Sequence, residues 1–190
     1  MAAYCQCRHG GLPLLKHKDQ MVSHIIFHTD FGDAAVIYRE NRFSIIKILL
    51  PSSNRKYLFE LIAKNRWGKP GFHQKAKMVS DLIIDYFNGR DLLNPLEWLD
   101  MDRLTKLQKS VLIATADIQY GKLSTYKKIA ASVGFPKAYR FVGNTLANNP
   151  YPILIPCHRV IRSNSSIGGF TGGTELKKKL IALEAKFTET

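Results

Sequence analysis

The residues best suited to chemistry stand side by side late in the chain, where Cys157 is followed by His158 in the segment "PCHR". A thiolate is a strong nucleophile, and a neighbouring base or positive charge favours it over the thiol. Adjacent side chains diverge, so we expect His158 to act on the sulfur through one water, as a general base can. Glu184, set among apolar residues, is the carboxylate that we expect to orient this histidine. The segment predicts a cysteine nucleophile held as an anion.

Taken alone, the pair fits a second interpretation at least as well. A buried cysteine often only fills the core, and the histidine beside it is then a satisfied polar neighbour. The elements around Cys157 and His158 must decide between a structural thiol and a reactive one.

Charge gives the first constraint on those elements. The 190 residues include 28 Lys and Arg against 15 Asp and Glu, a formal net charge of +13. Residues 101–190 carry +9 of this charge and residues 1–100 carry +4. An excess of this size predicts attraction to a polyanion, with the binding face in the C-terminal half.

Hydropathy and cysteine usage indicate the cellular location of the protein. No segment approaches the roughly 20 apolar residues of a membrane span. The three cysteines make no disulfide framework, and the N-terminus lacks the apolar stretch of a secretory signal. We expect no membrane role and a reducing location, in the cytoplasm or, in a eukaryote, the nucleus.

The first half of the chain is typical of an α+β domain over residues 23–95, preceded by a basic arm over residues 1–22. Two helices are predicted over residues 55–65 and 72–88, and Gly89 stands at the C′ position of the second. Before them, three β-branched and aromatic runs predict strands joined by hairpins: "SHIIFHTDFG", "DAAVIYRE" and "FSIIKILLP".

The second half, residues 101–190, is predicted to be mostly helical. Apolar residues recur at spacings of three and four from Leu104 to Ile118, which predicts an amphipathic helix before Gly121. A short helix over residues 125–132, a tight turn, and a helix opened by Pro136 then give the layout of a helix-turn-helix.

The chain beyond the second of these helices carries the cysteine. Residues 151–156 are predicted to be extended, and residues 162–173 to form a loop. A final helix is predicted over residues 175–186, with Leu176, Leu180 and Leu183 along one side.

Five ordered segments of this half resemble the active-site half of the O6-alkylguanine-DNA alkyltransferases, also called methylated-DNA-protein-cysteine methyltransferases. They lie between about Leu104 and Phe187 and read "STYKKIA", "PKAYRFVGNTLANNP", "PILIPCHRVI", "GGFTGG" and "LIALE". The resemblance implies an α+β fold, in which a ribonuclease-H-like domain precedes a mostly helical, winged-helix-like domain with the helix-turn-helix. It also implies a suicide repair protein that moves an alkyl group from guanine O6 to its own cysteine.

The resemblance assigns catalytic roles by position. The nucleophile falls on Cys157, and the histidine and glutamate behind it fall on His158 and Glu184. The tyrosine that works at the flipped guanine and the adjacent phosphate falls on Tyr126. The hinge asparagine falls on Asn149, where an Asn-Pro step ends a helix.

The resemblance also assigns residues to the base pocket and the DNA. The arginine that fills the gap left by the extruded base falls on Arg140. The pocket positions are Leu146, Pro152, Val160, Phe170 and Thr171. The expected DNA contacts, besides Arg140 and Tyr126, are Lys122, Lys127, Lys128, Lys137, Asn144, Ala147 and Arg162. We expect a monomer that binds double-stranded DNA from the minor-groove side with low sequence specificity.

Two positions depart from the vertebrate pattern of this family. Ala147 stands where an arginine often adds charge, which predicts weaker attraction to phosphate at that point. Phe170 stands where a tyrosine is common, which removes a hydroxyl from the pocket rim. Neither change affects the nucleophile.

A metal site is the one cofactor that the sequence raises. Cys5, Cys7 and His9 lie together, with His17, His24 and His28 further on, and some members of the family carry a structural zinc in this half. The spacing is not that of a zinc finger, and the segment precedes the first strand. We expect a basic arm, no metal and no cofactor.

Three other functions compete with alkyl transfer. A non-catalytic, alkyltransferase-like lesion-binding protein would keep the DNA-binding fold and replace the cysteine, which Cys157 opposes. A cysteine hydrolase would need neither a helix-turn-helix nor a basic half. A transcriptional regulator would need a dimerisation surface and base-reading side chains, and the sequence indicates neither.

Overall fold

The computed structural model describes residues 21–91 and 95–188 of the chain. In this part the protein is a mixed α/β structure with a four-stranded sheet, a two-stranded sheet and six α-helices. The strands are β1 (Val22–Thr29), β2 (Gly32–Arg39), β3 (Ser44–Ser52), β4 (Lys69–Pro70), β5 (Ser124–Thr125) and β6 (Val160–Ile161). The helices are α1 (Arg55–Lys64), α2 (Gln74–Phe87), α3 (Lys106–Ala116), α4 (Tyr126–Ser132), α5 (Tyr139–Ala147) and α6 (Gly173–Thr188).

The larger sheet has the strand order β3-β2-β1-β4. The three predicted strands form its antiparallel part, and β4 adds a short parallel edge next to β1. Strand β2 is apolar on both faces because helices cover both faces. Ala35 and Ile37 pack with α1, whereas Val36, between them, belongs to the core that includes α2. This is the alternation of side chains that a strand imposes.

Side-chain caps start the helices that lead to the cysteine. Thr105 begins α3 with a capping box, in which its side chain accepts from the Gln108 N–H and the Gln108 side chain accepts from the Thr105 N–H. Thr125 caps α4 by accepting from the Lys128 N–H. Helices α3, α4 and α5 pack against one another. This cluster forms the support on which the cysteine segment lies.

One continuous core joins the sheet to the second half of the chain. At the edge of the larger sheet, the Ile48 N–H donates to the Pro150 carbonyl at 2.8 Å, and the Asp100 N–H donates to the Ile45 carbonyl at 2.8 Å. Arg39 of β2 forms an ion pair with the partly buried Asp100. Strand β3 is thus attached to the segment that leads into the cysteine.

Three local expectations are wrong. The second helix of the pair begins at Tyr139 and not at Pro136, and its N-cap, Ala138, makes no side-chain hydrogen bond. Residues 151–156 form a tight turn and not an extended segment, with Ile153 at φ +75° and the Ile155 N–H donating to the Tyr151 carbonyl at 2.8 Å. Strands β4, β5 and β6 were not predicted, because two residues are too short a run to show a period.

No helix of the described residues is long and apolar enough to cross a membrane.

Candidate active site

The turn before Cys157 is held together by the buried side chain of Asn149. Its amide nitrogen donates to the Ile155 carbonyl at 2.9 Å and to the Cys157 Sγ at 3.2 Å. Its amide oxygen accepts from the Tyr151 N–H at 3.0 Å. One side chain therefore closes the turn and directs a hydrogen bond at the sulfur. Cys157 itself opens a short 3-10 helix, Cys157–Arg159.

The thiol of Cys157 is 3% exposed. Burial raises its pKa, and the hydrogen bond from Asn149 and the positive charge of Lys177 oppose that rise only in part. The sulfur is therefore a neutral thiol in the resting protein and not the anion expected from the sequence. A proton must leave it when it reacts.

His158 is completely buried beside the thiol. Its Nε2 lies 2.7 Å from Glu184 Oε1, which is the partner expected from the sequence. Burial lowers the pKa of the imidazole, although the hydrogen bond to Glu184 acts in the opposite direction. With Nε2–H directed at the carboxylate, Nδ1 is a buried acceptor that has no partner among the described residues. This nitrogen can act as a base.

Four donors converge on Glu184, which is 2% exposed. Oε1 accepts from Tyr86 Oη at 2.8 Å as well as from His158. Arg159 Nε donates to both oxygens, at 3.1 and 2.9 Å, and the Gly121 N–H donates to Oε2 at 3.0 Å. Burial by itself would raise the pKa of this carboxyl, but the contacts with His158, Arg159 and Tyr86 lower it to about 2. Glu184 is therefore a carboxylate at neutral pH.

Lys177 is a second buried charge near the sulfur. Its side chain is fully buried, and Nζ donates to the Val160 carbonyl at 2.6 Å. Burial lowers the pKa of this ammonium to about 8. Its ring contact is with Tyr126, whose centroid lies 5.9 Å from Nζ. The lysine therefore links α6 to the first residue of α4, and it lies close enough to Cys157 for its charge to act on the sulfur.

An open cavity of about 520 Å³ lies between α4, α5 and the loop after β6. It gathers five of the predicted residues: Tyr126, Lys127, Arg140, Ala147 and Arg162. Gly168 closes the loop over Tyr126. A Cβ at Gly168 would lie 2.9 Å from the tyrosine hydroxyl, and its φ of +71° also favours glycine.

The predicted pocket residues are divided between the core and a second cavity. Asn149, Pro152 and Thr171 line this second cavity of about 460 Å³, next to β3. Leu146 and Val160 are buried in the core. Phe170 is half-buried, with its ring edge-on to His158 at 6.3 Å between centroids.

The remaining predicted DNA contacts are exposed. They are Lys122, Lys128, Lys137, Asn144 and Arg162. Of these, Arg162 lines the 520 Å³ cavity, whereas Lys137 and Asn144 line neither cavity.

No group of three or more metal-ligating side chains occurs in the part of the chain that the structure describes. Of the candidate ligands in the zinc alternative, Cys5, Cys7, His9 and His17 lie outside the described residues, whereas His24 and His28 lie on β1.

The comparisons with known proteins agree with this geometry. Residues 106–186 match the family model described as the DNA-binding domain of 6-O-methylguanine DNA methyltransferase. The methylated-DNA-protein-cysteine methyltransferase of Pyrobaculum aerophilum is 42% identical over 112 residues, which are 54% of this chain and 74% of that protein. The chain belongs to the methylated-DNA-protein-cysteine methyltransferase family.

Other methyltransferases of this family show how far the similarity extends. The Methanosarcina barkeri protein is 44% identical over 102 residues, which are 52% of this chain and 61% of that protein. The matched segment thus spans less than two thirds of that relative. The crystal structure of Mycobacterium tuberculosis OGT in complex with DNA superposes with a TM-score of 0.67 at 27% identity, covering 87% of this chain and 94% of that chain.

Three residues of this methyltransferase site escaped the sequence analysis. Tyr86 stands three residues after Ile83 on the apolar stripe of α2, so its burial was readable but its partner was not. Lys177 is the first of three consecutive lysines and looks exposed, although its spacing from Leu180 and Glu184 puts it on the buried side of α6. Arg159 was noted only as a nearby positive charge.

Proposed function

We propose that this chain is a DNA repair protein that transfers the alkyl group of O6-alkylguanine in DNA to its own Cys157. The supporting observation is the buried network behind the cysteine. Asn149 donates to the sulfur, Glu184 holds one nitrogen of His158, and the other nitrogen has no partner within residues 21–91 and 95–188. A core cysteine that only fills space has no need of an oriented, unprotonated base.

The reaction needs one proton transfer and one substitution. The thiol proton passes to His158 Nδ1, and the sulfur attacks the alkyl carbon as the carbon–O6 bond breaks. The bonding electrons leave with guanine, which then takes up one proton. The product is a thioether, a poor electrophile, so each molecule acts once.

DNA is the proposed partner, bound through the face that carries α4 and α5. We assign these two helices to a helix-turn-helix, with exposed lysines and Arg162 as phosphate contacts. Arg140 is exposed at the cavity rim, where it can fill the gap left by an extruded base. A basic face without long base-reading side chains on α5 favours minor-groove binding with low sequence specificity.

The cavity over Tyr126 is the proposed site of the extruded nucleotide. It lies between α4, α5 and the loop after β6, and Tyr126 is near enough to Cys157 for the sulfur to influence its pKa, which burial raises further. The Val160 carbonyl keeps a second lone pair for the guanine after it accepts from Lys177. Leu146, Pro152, Phe170 and the Thr171 backbone do not line this cavity, and they stay walls of the base pocket only as the family resemblance implies.

The finer architecture belongs to the same proposal. Residues 23–95 are assigned to a ribonuclease-H-like domain and residues 101–190 to a winged-helix-like domain for DNA binding and alkyl transfer. We propose that the protein acts as a monomer, in the cytoplasm or in the nucleus of a eukaryote.

Mass spectrometry after incubation with duplex DNA that contains O6-methylguanine tests the function. The expected result is a gain of one methyl on Cys157 and no further turnover. The Cys157→Ser variant should gain none, and a variant with Cys5 and Cys7 replaced by serine should react like the wild type. DNA binding without an adduct would support the lesion-binding alternative, and clearance of many lesions by one molecule would contradict the suicide mechanism.

A further inference from the structure

Tyr86 is a buried phenol, contributed by α2, that touches the site from outside the segment matched by the family model. Its side chain is fully buried. The hydroxyl donates to Glu184 Oε1 at 2.8 Å and lies 3.0 Å from His158 Nε2. The ring also stands edge-on to that of His158. One side chain from the first half of the chain thus contacts both groups that handle the proton.

Four titratable or charged groups face Tyr86: His158, Arg159, Glu184 and Tyr120. Burial and the Glu184 charge raise the pKa of the Tyr86 phenol, so it stays protonated and remains a donor. A fixed donor on Oε1 limits the positions that the carboxylate can adopt. This hydrogen bond also weakens the effect of the carboxylate charge on His158, which would otherwise raise the pKa of the imidazole further.

We infer that Tyr86 is a positioning residue of the alkyl-transfer site, whose hydroxyl holds the Glu184 carboxylate and the His158 ring in one arrangement. This rests on the proposed function. The consequence is that the sheet half of the chain completes the active site and does not only support it. In this role Tyr86 acts through Glu184 and touches neither the sulfur nor the substrate.

The test is Tyr86→Phe, which removes only the hydroxyl and keeps the ring. Loss of one charge-assisted hydrogen bond corresponds to about a tenfold slower methyl transfer at neutral pH. The acid limb of the pH–rate profile should move to higher pH, because the carboxylate then holds a protonated imidazole more strongly. A purely structural role would lower the melting temperature and leave the limb in place.

Tyr120→Phe is the matched control. Tyr120 packs edge-on against Tyr86, and its hydroxyl is buried without a hydrogen-bond partner among the described residues. Its removal should leave the rate and the pH profile unchanged. An equal effect of both variants would overturn the inference.

A double variant tests whether Tyr86 acts through Glu184. In a Glu184→Gln background, the Tyr86→Phe change should slow the reaction less than it does in the wild type, since one of the two groups it positions is gone. Independent, multiplying effects would contradict the inference. Should Tyr86→Phe fail to fold, ortho-fluorotyrosine at position 86 keeps the ring and strengthens the donor. The acid limb should then move to lower pH, and an unmoved limb would refute the inference.

Alkylation of Cys157 by iodoacetamide, followed by peptide mass spectrometry, separates this inference from the proposed function. It needs no DNA. If the wild type transfers no methyl but the Tyr86 variants still shift the pH profile of Cys157 alkylation, only the proposed function fails. If the wild type transfers methyl and Tyr86→Phe changes neither profile, only the inference fails.

Discussion

Replacing Glu184 by glutamine removes a buried charge on which four donors converge. Glutamine keeps the volume but cannot accept at its amide nitrogen, so at least one donor loses its acceptor. Arg159 is also buried, and it would lose its ionic partner. Breaking a buried pair from one side costs about 3–5 kcal/mol. We therefore expect Glu184→Gln to unfold at markedly lower urea concentration at neutral pH.

The pH dependence isolates the charge from the lost contacts. The pKa of Glu184 falls from an ordinary 4.5 to about 2 in the folded protein, and one pKa unit corresponds to about 1.4 kcal/mol, so ionisation contributes about 3 kcal/mol. Because the folded pKa is the lower one, this stabilisation is complete above pH 4.5 and is lost as the pH falls towards 2. Glutamine does not titrate, so the variant should lack this component.

Urea unfolding of wild type and Glu184→Gln, each at neutral pH and near pH 3, measures the contribution of the lost contacts and that of the lost charge. The difference in unfolding free energy at neutral pH reports the lost contacts and the lost charge together. The smaller loss of unfolding free energy by the variant between neutral pH and pH 3 reports the charge alone. Glu175→Gln is the matched control on the same helix, because Glu175 is exposed and its ion pair is with the exposed Lys178. This control should leave the pH dependence of the unfolding free energy nearly unchanged. If wild type and Glu184→Gln lost the same free energy on acidification, the buried carboxylate would not be the group we describe.

Three further changes have defined outcomes. Asn149→Ala should cost about 1–3 kcal/mol of unfolding free energy, measured in urea. It should also raise the pKa of the Cys157 thiol further, because the hydrogen bond to the sulfur is lost. An unchanged pH profile of iodoacetamide alkylation would contradict that hydrogen bond. Gly89→Ala places a Cβ at φ +86° and 2.2 Å from the Phe187 ring. Calorimetry should show a lower melting temperature, with a cost of about 1–2 kcal/mol. Gly89→Asn should be milder, because asparagine tolerates the left-handed backbone better than alanine does. Arg140→Ala should slow methyl transfer from duplex DNA by roughly tenfold or more, because extrusion of a base costs a few kcal/mol. The same variant should react normally with O6-methylguanine in single-stranded DNA, and equal slowing of both substrates would refute its role in the stack.

Local patterns in the sequence were enough for the strands β1 to β3 and for the approximate position of each α-helix among the described residues, although α5 begins three residues later than predicted. The stripe that ends at Gly89 predicted α2, and periodicity placed Glu184 on the buried side of α6. These features depend on neighbours a few residues apart, which is the range that periodicity and capping report. The turn at residues 151–156 was missed because it is closed by hydrogen bonds of the Asn149 side chain. In the sequence, the Asn-Pro step at this position indicates only the end of a helix.

The sequence by itself determined which residues we propose for the chemistry, since the order of Cys157, His158 and a later glutamate is written in the chain. Only the tertiary structure decided how those groups are ionised and what holds them. Tyr86 reaches Glu184 across 98 residues, and no pattern along the chain encodes a contact of that separation. The thiol stays protonated because desolvation depends on every atom packed around the sulfur, and that packing exists only after the sheet, α2 and α6 have come together.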